Sequence, residues 1–169
     1  AYEMLSGDWS SDVCSSIFKY KRPISLGTVP EEEWDSLASL GFDAVWLMGV
    51  WERSPAGIRI ASGNGALMAE FRKVLPDFRD GDLVGSAYCV KNYIVDAKIG
   101  GAKGLAVARK MLAGRGLGLI LDFVPNHVSP DHPWTISHPE YFIRGSDEDI
   151  KNDPSSFIKI GGNVIALGR

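Results

Sequence analysis

The stretch LGLILDFVPNHVSPDHPW, residues 117–134, runs from a wholly apolar segment straight into Asp122, Asn126 and His127. A run of leucine and isoleucine bounded by turn residues reads as a strand buried on both faces, the pattern of a parallel sheet. The polar residues at its end lie where parallel α/β folds keep their sites, outside the carboxyl ends of the strands. A carboxylate, an amide and an imidazole aimed into one cleft can hydrogen-bond a polyol, and sugars are polyols. The alternative is a strand-end turn whose polar groups cap backbone, and spacing alone leaves both open.

Working outward, TVPEEEWDSLASLG (28–41) reads as a helix. Pro30 suits its first position, Glu31, Glu32 and Glu33 meet the positive end of the helix dipole, and Gly41 ends it. FDAVWLMGV (42–50) follows as a second buried strand. GAKGLAVARKMLAGRG (101–116) is another helix, with Leu105, Ala108 and Leu112 on one face. Between Trp51 and Gly101 lies a long connection with its own helix, in which Leu67, Met68, Phe71, Val74 and Leu75 recur at helical spacing. AGIRIA (56–61) is weakly strand-like. SGNGAL (62–67) lacks the glycine pattern of a phosphate cradle and reads as a loop and helix cap. DGDLVGSAYCVKNYIVDAKIGG (80–101) alternates turn residues with tyrosines. Tyr88 and Tyr93 offer either sugar-stacking faces or rings that pin the loop. A further short strand is expected at Ala1–Leu5. The order of helices and strands implies parallel βαβ units, an α/β fold.

The bulk composition narrows the function. The chain has 169 residues, 45% hydrophobic and 10% aromatic, which makes it globular. Lys and Arg number 18 against 21 Asp and Glu, a net charge of −3, so it lacks the basic footprint of a nucleic-acid binder. No apolar run reaches a membrane span, and no signal-peptide pattern is visible at the start of this stretch, which says little about compartment in a piece of a longer protein. Cys14 and Cys89 give neither a disulfide framework nor a metal spacing, and read as free thiols in a reducing, cytoplasmic setting. His127, His132 and His138 are five and six residues apart across prolines, which matches no zinc pattern; His132 and His138 read as surface loop histidines. Asp8–Ser16, DWSSDVCSS, resembles the translation of a sequencing adapter; the alternative is a genuine polar loop. The chain starts at Ala1 and stops within an apolar run, so it reads as a piece of a longer protein.

Three blocks together resemble the α-amylase family, glycoside hydrolase family 13: GFDAVWLMGVWERSP (41–55), GSAYCVKNYIVDAKIGG (85–101) and LILDFVPNHVSPDHPW (119–134). The Asp-x-x-x-Asn-His of residues 122–127 is similar to that family's first signature region, and the resemblance extends from Ile24 to the end of the chain. It implies a partial (β/α)8 TIM barrel, about the first three strands, over residues 1–129, with 130–169 opening the insertion after the third strand. It implies retaining cleavage or transfer at α-glucosidic bonds, with an Asp nucleophile, a Glu acid/base and a second, stabilising Asp. His127 would then hydrogen-bond the sugar at the scissile bond and Tyr88 would stack on it. Asp122 would be an orienting carboxylate, and Asn126 would match a structural calcium ligand, with Asp147, Glu148, Asp149 and Asp153 as further oxygen donors or simply a solvated acidic run.

Two departures carry consequences. The family usually has Asp where this chain has Asn92. The three catalytic carboxylates follow the fourth, fifth and seventh strands of such a barrel, and none falls within this chain. Asp122 would also lack the cationic partner that the fourth strand supplies, a costly state for a buried carboxylate. The expectation is therefore part of an α-glycosidase acting on α-glucans or α-glucosides, poorly folded and inactive by itself. Part of a transglycosylase or isomerase of the same family, such as a trehalose synthase, or of a non-catalytic homologue, remains the alternative.

Overall fold

The computed structural model describes residues 19–167. The strand read at Ala1–Leu5, the Asp8–Ser16 segment and Cys14 lie outside them. Helix α1, Glu31–Ser39, begins one residue after Pro30. Pro30 is thus the N-cap and not the first helical residue: its ψ of 147° is extended. The three glutamates fill the first turn as expected.

Strand β1, Ala44–Leu47, follows. Then comes the long connection, which is better ordered than its sequence suggests. It opens with β2, Trp51–Arg53, and continues through α2, Pro55–Ser62, and α3, Gly65–Val74. It closes on β3, Val90–Val95, which returns antiparallel to β2 with irregular register. Two readings are corrected here. AGIRIA is helical, because Ser54 caps the helix by accepting from the Gly57 N–H and Pro55 supplies its first turn. The tyrosine-bearing stretch contains a strand where a loop is expected. SGNGAL does act as a cap: Asn64 accepts from the Leu67 N–H to start α3.

Helix α4, Gly101–Ala113, then carries the chain to β4, Gly118–Leu121, which pairs with β1 in parallel, Ala44 opposite Gly118 and Leu47 opposite Leu121. Both strands therefore end on the same side. One face of this pair packs under α1 and α4: Leu26, Trp34, Val45, Leu47, Val50, Ala108, Leu112 and Leu117 are buried together, with Leu119 and Leu121 against them. The other face is bare. Trp46 is 47% exposed and its cross-strand partner Ile120 is 53% exposed. The expectation of strands buried on both faces fails on that side, because among the described residues the sheet has only these two parallel strands and one covering layer.

The remainder contains α5, Trp134–Ser137, α6, Asp147–Asn152, and a hairpin of β5, Phe157–Ile160, and β6, Asn163–Ala166. The two hairpin turn residues, Gly161 and Gly162, have φ of 55° and 86°, the left-handed pair that a tight hairpin turn requires. Among the described residues no helix is long and apolar enough to cross a membrane.

Candidate sugar-binding site at the strand ends

The carboxyl ends of β1 and β4 deliver the segments 48–54 and 122–131 to the same side, and β3 brings in Tyr88 and its neighbours. Asp122 is the first residue past β4 and is 7% exposed. Its Oδ1 accepts from Trp46 Nε1 at 2.9 Å and its Oδ2 from the Gly49 N–H at 2.6 Å. Its carbonyl accepts from Trp51 Nε1 at 2.8 Å. In place of the cation that the fourth strand would supply, two neutral N–H donors hold the carboxylate and a third holds its carbonyl, 71 to 76 residues upstream. Gly49 can donate so closely because its backbone is left-handed, φ 71°, and a Cβ there would sit 2.8 Å from Ala87 Cβ.

His127 and Tyr88 come together. His127 Nε2 lies 3.1 Å from the Tyr88 carbonyl oxygen. A carbonyl only accepts, so Nε2 carries a proton. Tyr88 is 40% exposed. Tyr93 has the other of its two readings. Its ring meets Trp51 at 5.3 Å and Phe123 at 5.9 Å, and its hydroxyl accepts from the Val124 N–H at 2.7 Å, so it pins the loop.

Asn92 fits its surroundings better than an aspartate would. Its Nδ2 donates to Glu52 Oε2 at 2.5 Å, while Lys91 Nζ pairs with Glu52 Oε1 at 2.9 Å. The Asn92 and Lys91 contacts hold the Glu52 carboxyl below its ordinary range. An acceptor-only carboxylate at position 92 would face Glu52 without a donor.

Asp131 escapes sequence reasoning. Its Oδ1 accepts from Ser54 Oγ at 2.5 Å and Ser129 Oγ at 2.8 Å, and its Oδ2 from the Ala56 N–H at 3.0 Å. Burial pushes this carboxyl up, but the hydrogen bonds from Ser54, Ala56 and Ser129 outweigh it and leave it below the usual carboxylate range. Next to it, His132 is 8% exposed, which corrects the surface reading; its Nδ1 accepts from the Trp134 N–H at 3.1 Å. Burial holds the His132 imidazole below its ordinary value, against the pull of the Asp131 charge. His138 pairs with Glu140 at 3.0 Å and stacks on Tyr141.

The acidic run at 147–153 serves the fold. Asp149 forms a capping box with Ser146 at the start of α6, Asp147 pairs with Lys159 at 2.6 Å, and Asp153 accepts from Ser155. Asn126 is exposed. Among the described residues no three His, Cys, Asp or Glu side chains group to hold a metal ion. A concavity of about 330 Å³, lined mainly by α2, α3, Cys89 and Pro130, is chiefly apolar. Burial raises the Cys89 thiol, so it is not an activated nucleophile.

No family model matches the chain. Among curated proteins it is similar to the amino acid transporter heavy chain SLC3A1 of Rattus norvegicus, 22% identical over 143 residues, which is 79% of this chain and 17% of that protein. The Mus musculus protein of the same name matches over the same shares. The chain thus spans under a fifth of these relatives' length. Among solved structures it is similar to an α-amylase from Lactobacillus plantarum, with a TM-score of 0.55 and 22% identity, over 85% of this chain and 28% of that one. The α-amylase resemblance carried by the three sequence blocks is therefore borne out in the backbone: this chain has the fold of part of an α-amylase.

Proposed function

We propose that the chain is part of a retaining glycosidase acting on α-glucans or α-glucosides, and that residues 1–129 contribute the first three strands of its (β/α)8 barrel. In this reading Tyr88, Asp122 and His127 belong to the sugar-binding face, and residues 130–169 begin the insertion after the third strand. The supporting observation is the 3.1 Å approach of His127 Nε2 to the carbonyl of the exposed Tyr88, on the side where the parallel strands end. An aromatic ring packs on the C–H face of a pyranose, while an imidazole nitrogen fixes a hydroxyl. Asp122 orients this floor through Trp46, Gly49 and Trp51 and does not itself transfer protons.

Bond cleavage with retention needs two carboxylates roughly 5–5.5 Å apart across the scissile bond. In the proposal those groups lie on barrel strands beyond this chain, and the 169-residue chain has no activity. The α-amylase resemblance also implies a structural calcium. Asn126 offers one amide oxygen where calcium takes about six to eight, Asp149 and Asp147 are taken up by capping and ion pairing, and no three His, Cys, Asp or Glu side chains group among the described residues, so these do not fit that ion by themselves. The free thiol of Cys89 accords with a cytoplasmic setting.

A second reading, a non-catalytic homologue, is favoured by one observation: the curated relatives are named as transporter heavy chains. Maltotriose added to the 169-residue chain separates part of this. Shifts of the His127 and Tyr88 resonances, absent in His127→Ala, with no reducing sugar released, are expected. No response at either residue overturns the sugar site, and released sugar overturns the claim of inactivity.

A further inference from the structure

Three chain segments meet beside His127 and Tyr88. Ser54 ends the β2 excursion at the start of α2 and is 1% exposed. Its backbone N–H donates to the Cys89 carbonyl at 3.1 Å. Ser129, also 1% exposed, donates its backbone N–H to the Val90 carbonyl at 3.1 Å. The two serines thus grip consecutive peptide units directly after Tyr88, and Ser129 stands two residues after His127. What joins the two grips is the Asp131 carboxylate, which takes hydrogen bonds from both hydroxyls and from the Ala56 N–H.

We infer that Asp131 is a positioning residue for the proposed sugar site: it clamps the segment after β4 to the β2–α2 junction and so holds the Tyr88 carbonyl against His127 Nε2. The inference rests on the sugar-site reading only for its purpose, since the clamp itself is visible without a ligand. The carboxylate suits the task because it is acceptor-only, and every group aimed at it is a donor. The Ser54 hydroxyl is already committed, for its oxygen also accepts from the Gly57 N–H at 2.8 Å. An Asn in this place would turn one acceptor into an NH2 facing either a backbone N–H or two hydroxyls, and the buried donors would lose a partner. The segment 127–131 would then be free to move away from Cys89–Val90, and the imidazole with it.

The test reads the His127 Nε2–H proton by NMR on the 169-residue chain without sugar. The packed core of eight buried side chains under α1 and α4 is expected to hold the chain together, against the poor folding that missing strands imply. An imidazole N–H held on a carbonyl exchanges slowly with water and gives a signal. In wild type that signal is expected. In Asp131→Asn it exchanges about tenfold faster or vanishes, as the loss of one hydrogen bond's worth of protection implies. The indole N–H signals of Trp46 and Trp51, both held by Asp122, stay in place and report that the fold survives. Should Asp131→Asn lose those as well, Ser129→Ala decides, because it removes one bond to the clamp, and a weaker change in the same direction is expected. A wild-type chain without the signal, or a signal unchanged in the variant that keeps its indoles, overturns the inference. A clamp upheld while maltotriose leaves His127 unmoved sinks the sugar reading alone.

Discussion

The two faces of the parallel pair β1 and β4 share a backbone and differ in everything else. On the helix side Val45 and Leu47 are 8% and 2% exposed, under Ala108 and Leu112, which are fully buried. On the opposite side the paired Trp46 and Ile120 stand about half exposed, and Phe123 beyond them is 76% exposed. Burying one large side chain is worth roughly 1.5–3 kcal/mol, so an uncovered row forgoes much of what a parallel sheet normally gains. The stability of this unit therefore resides in one layer. Its alternation is that of a half-covered sheet, although its sequence is that of a fully covered one.

The sharpest way to break the comparison is to cut equal bulk from each side. Leu112→Ala on the covered face is expected to cost about 2–5 kcal/mol, because a fully packed side chain leaves a cavity. Ile120→Ala on the bare face should cost less than about 1 kcal/mol. Urea denaturation followed by far-ultraviolet circular dichroism measures both. Equal losses would mean that the Ile120 side is covered in solution, and the one-layer account would fall.

Trp46 straddles the two faces and offers a finer cut. Its ring belongs to the bare row, yet its indole N–H reaches the buried Asp122 carboxylate at 2.9 Å. Trp46→Phe preserves most of the apolar surface and removes the donor. The expected cost is about 1–3 kcal/mol, more than Ile120→Ala and through the hydrogen bond alone. A loss no greater than that of Ile120→Ala would show that the Gly49 N–H suffices to hold Asp122.

What the sequence disclosed follows the same division between local and distant causes. Helices α1, α3 and α4 and the parallel pair were legible, because 3.6-residue periodicity, caps and apolar runs are written within a dozen residues. Helix α2 was not, since Gly57, Ile58, Arg59 and Ile60 alternate like a strand and the decision lies in the Ser54–Pro55 cap before them. The β5–β6 hairpin is written locally too, in the Gly161–Gly162 pair between two apolar runs, though it is absent from the expectations above. At the site, Asp122 and His127 were marked by their place after a strand, and Tyr88 by the resemblance. The partners of Asp122 and Asp131 were out of reach: 73 to 77 residues separate Gly49, Trp46, Ala56 and Ser54 from the carboxylates they meet, and spacing carries no trace of such pairings.

The smallest expected effect is a pH dependence seated in Asp131 and His132, where the strand-end segment meets the rest. Both groups have lowered pKa values in the fold, His132 by burial and Asp131 because its hydrogen bonds outweigh its burial. In each case the unfolded chain binds the proton more readily, so stability is fully present above the unfolded pKa and is lost as pH falls toward the folded one. For His132 the loss begins below about 6.5, and for Asp131 below about 3.9. The two are coupled: the Asp131 charge favours the His132 imidazolium and works against its burial. The upper arm is shallow for that reason. The urea midpoint of the chain should therefore be flat above pH 7, sag slightly as His132 takes its proton, and fall again in the acid range of Asp131. His132→Asn keeps an acceptor for the Trp134 N–H and cannot titrate, so it should erase the upper sag and leave the lower fall. Superimposable profiles for wild type and His132→Asn between pH 5 and 7 would mean that the buried imidazole contributes nothing to the pH response, and that the strand-end segment draws its acid sensitivity from the Asp131 clamp.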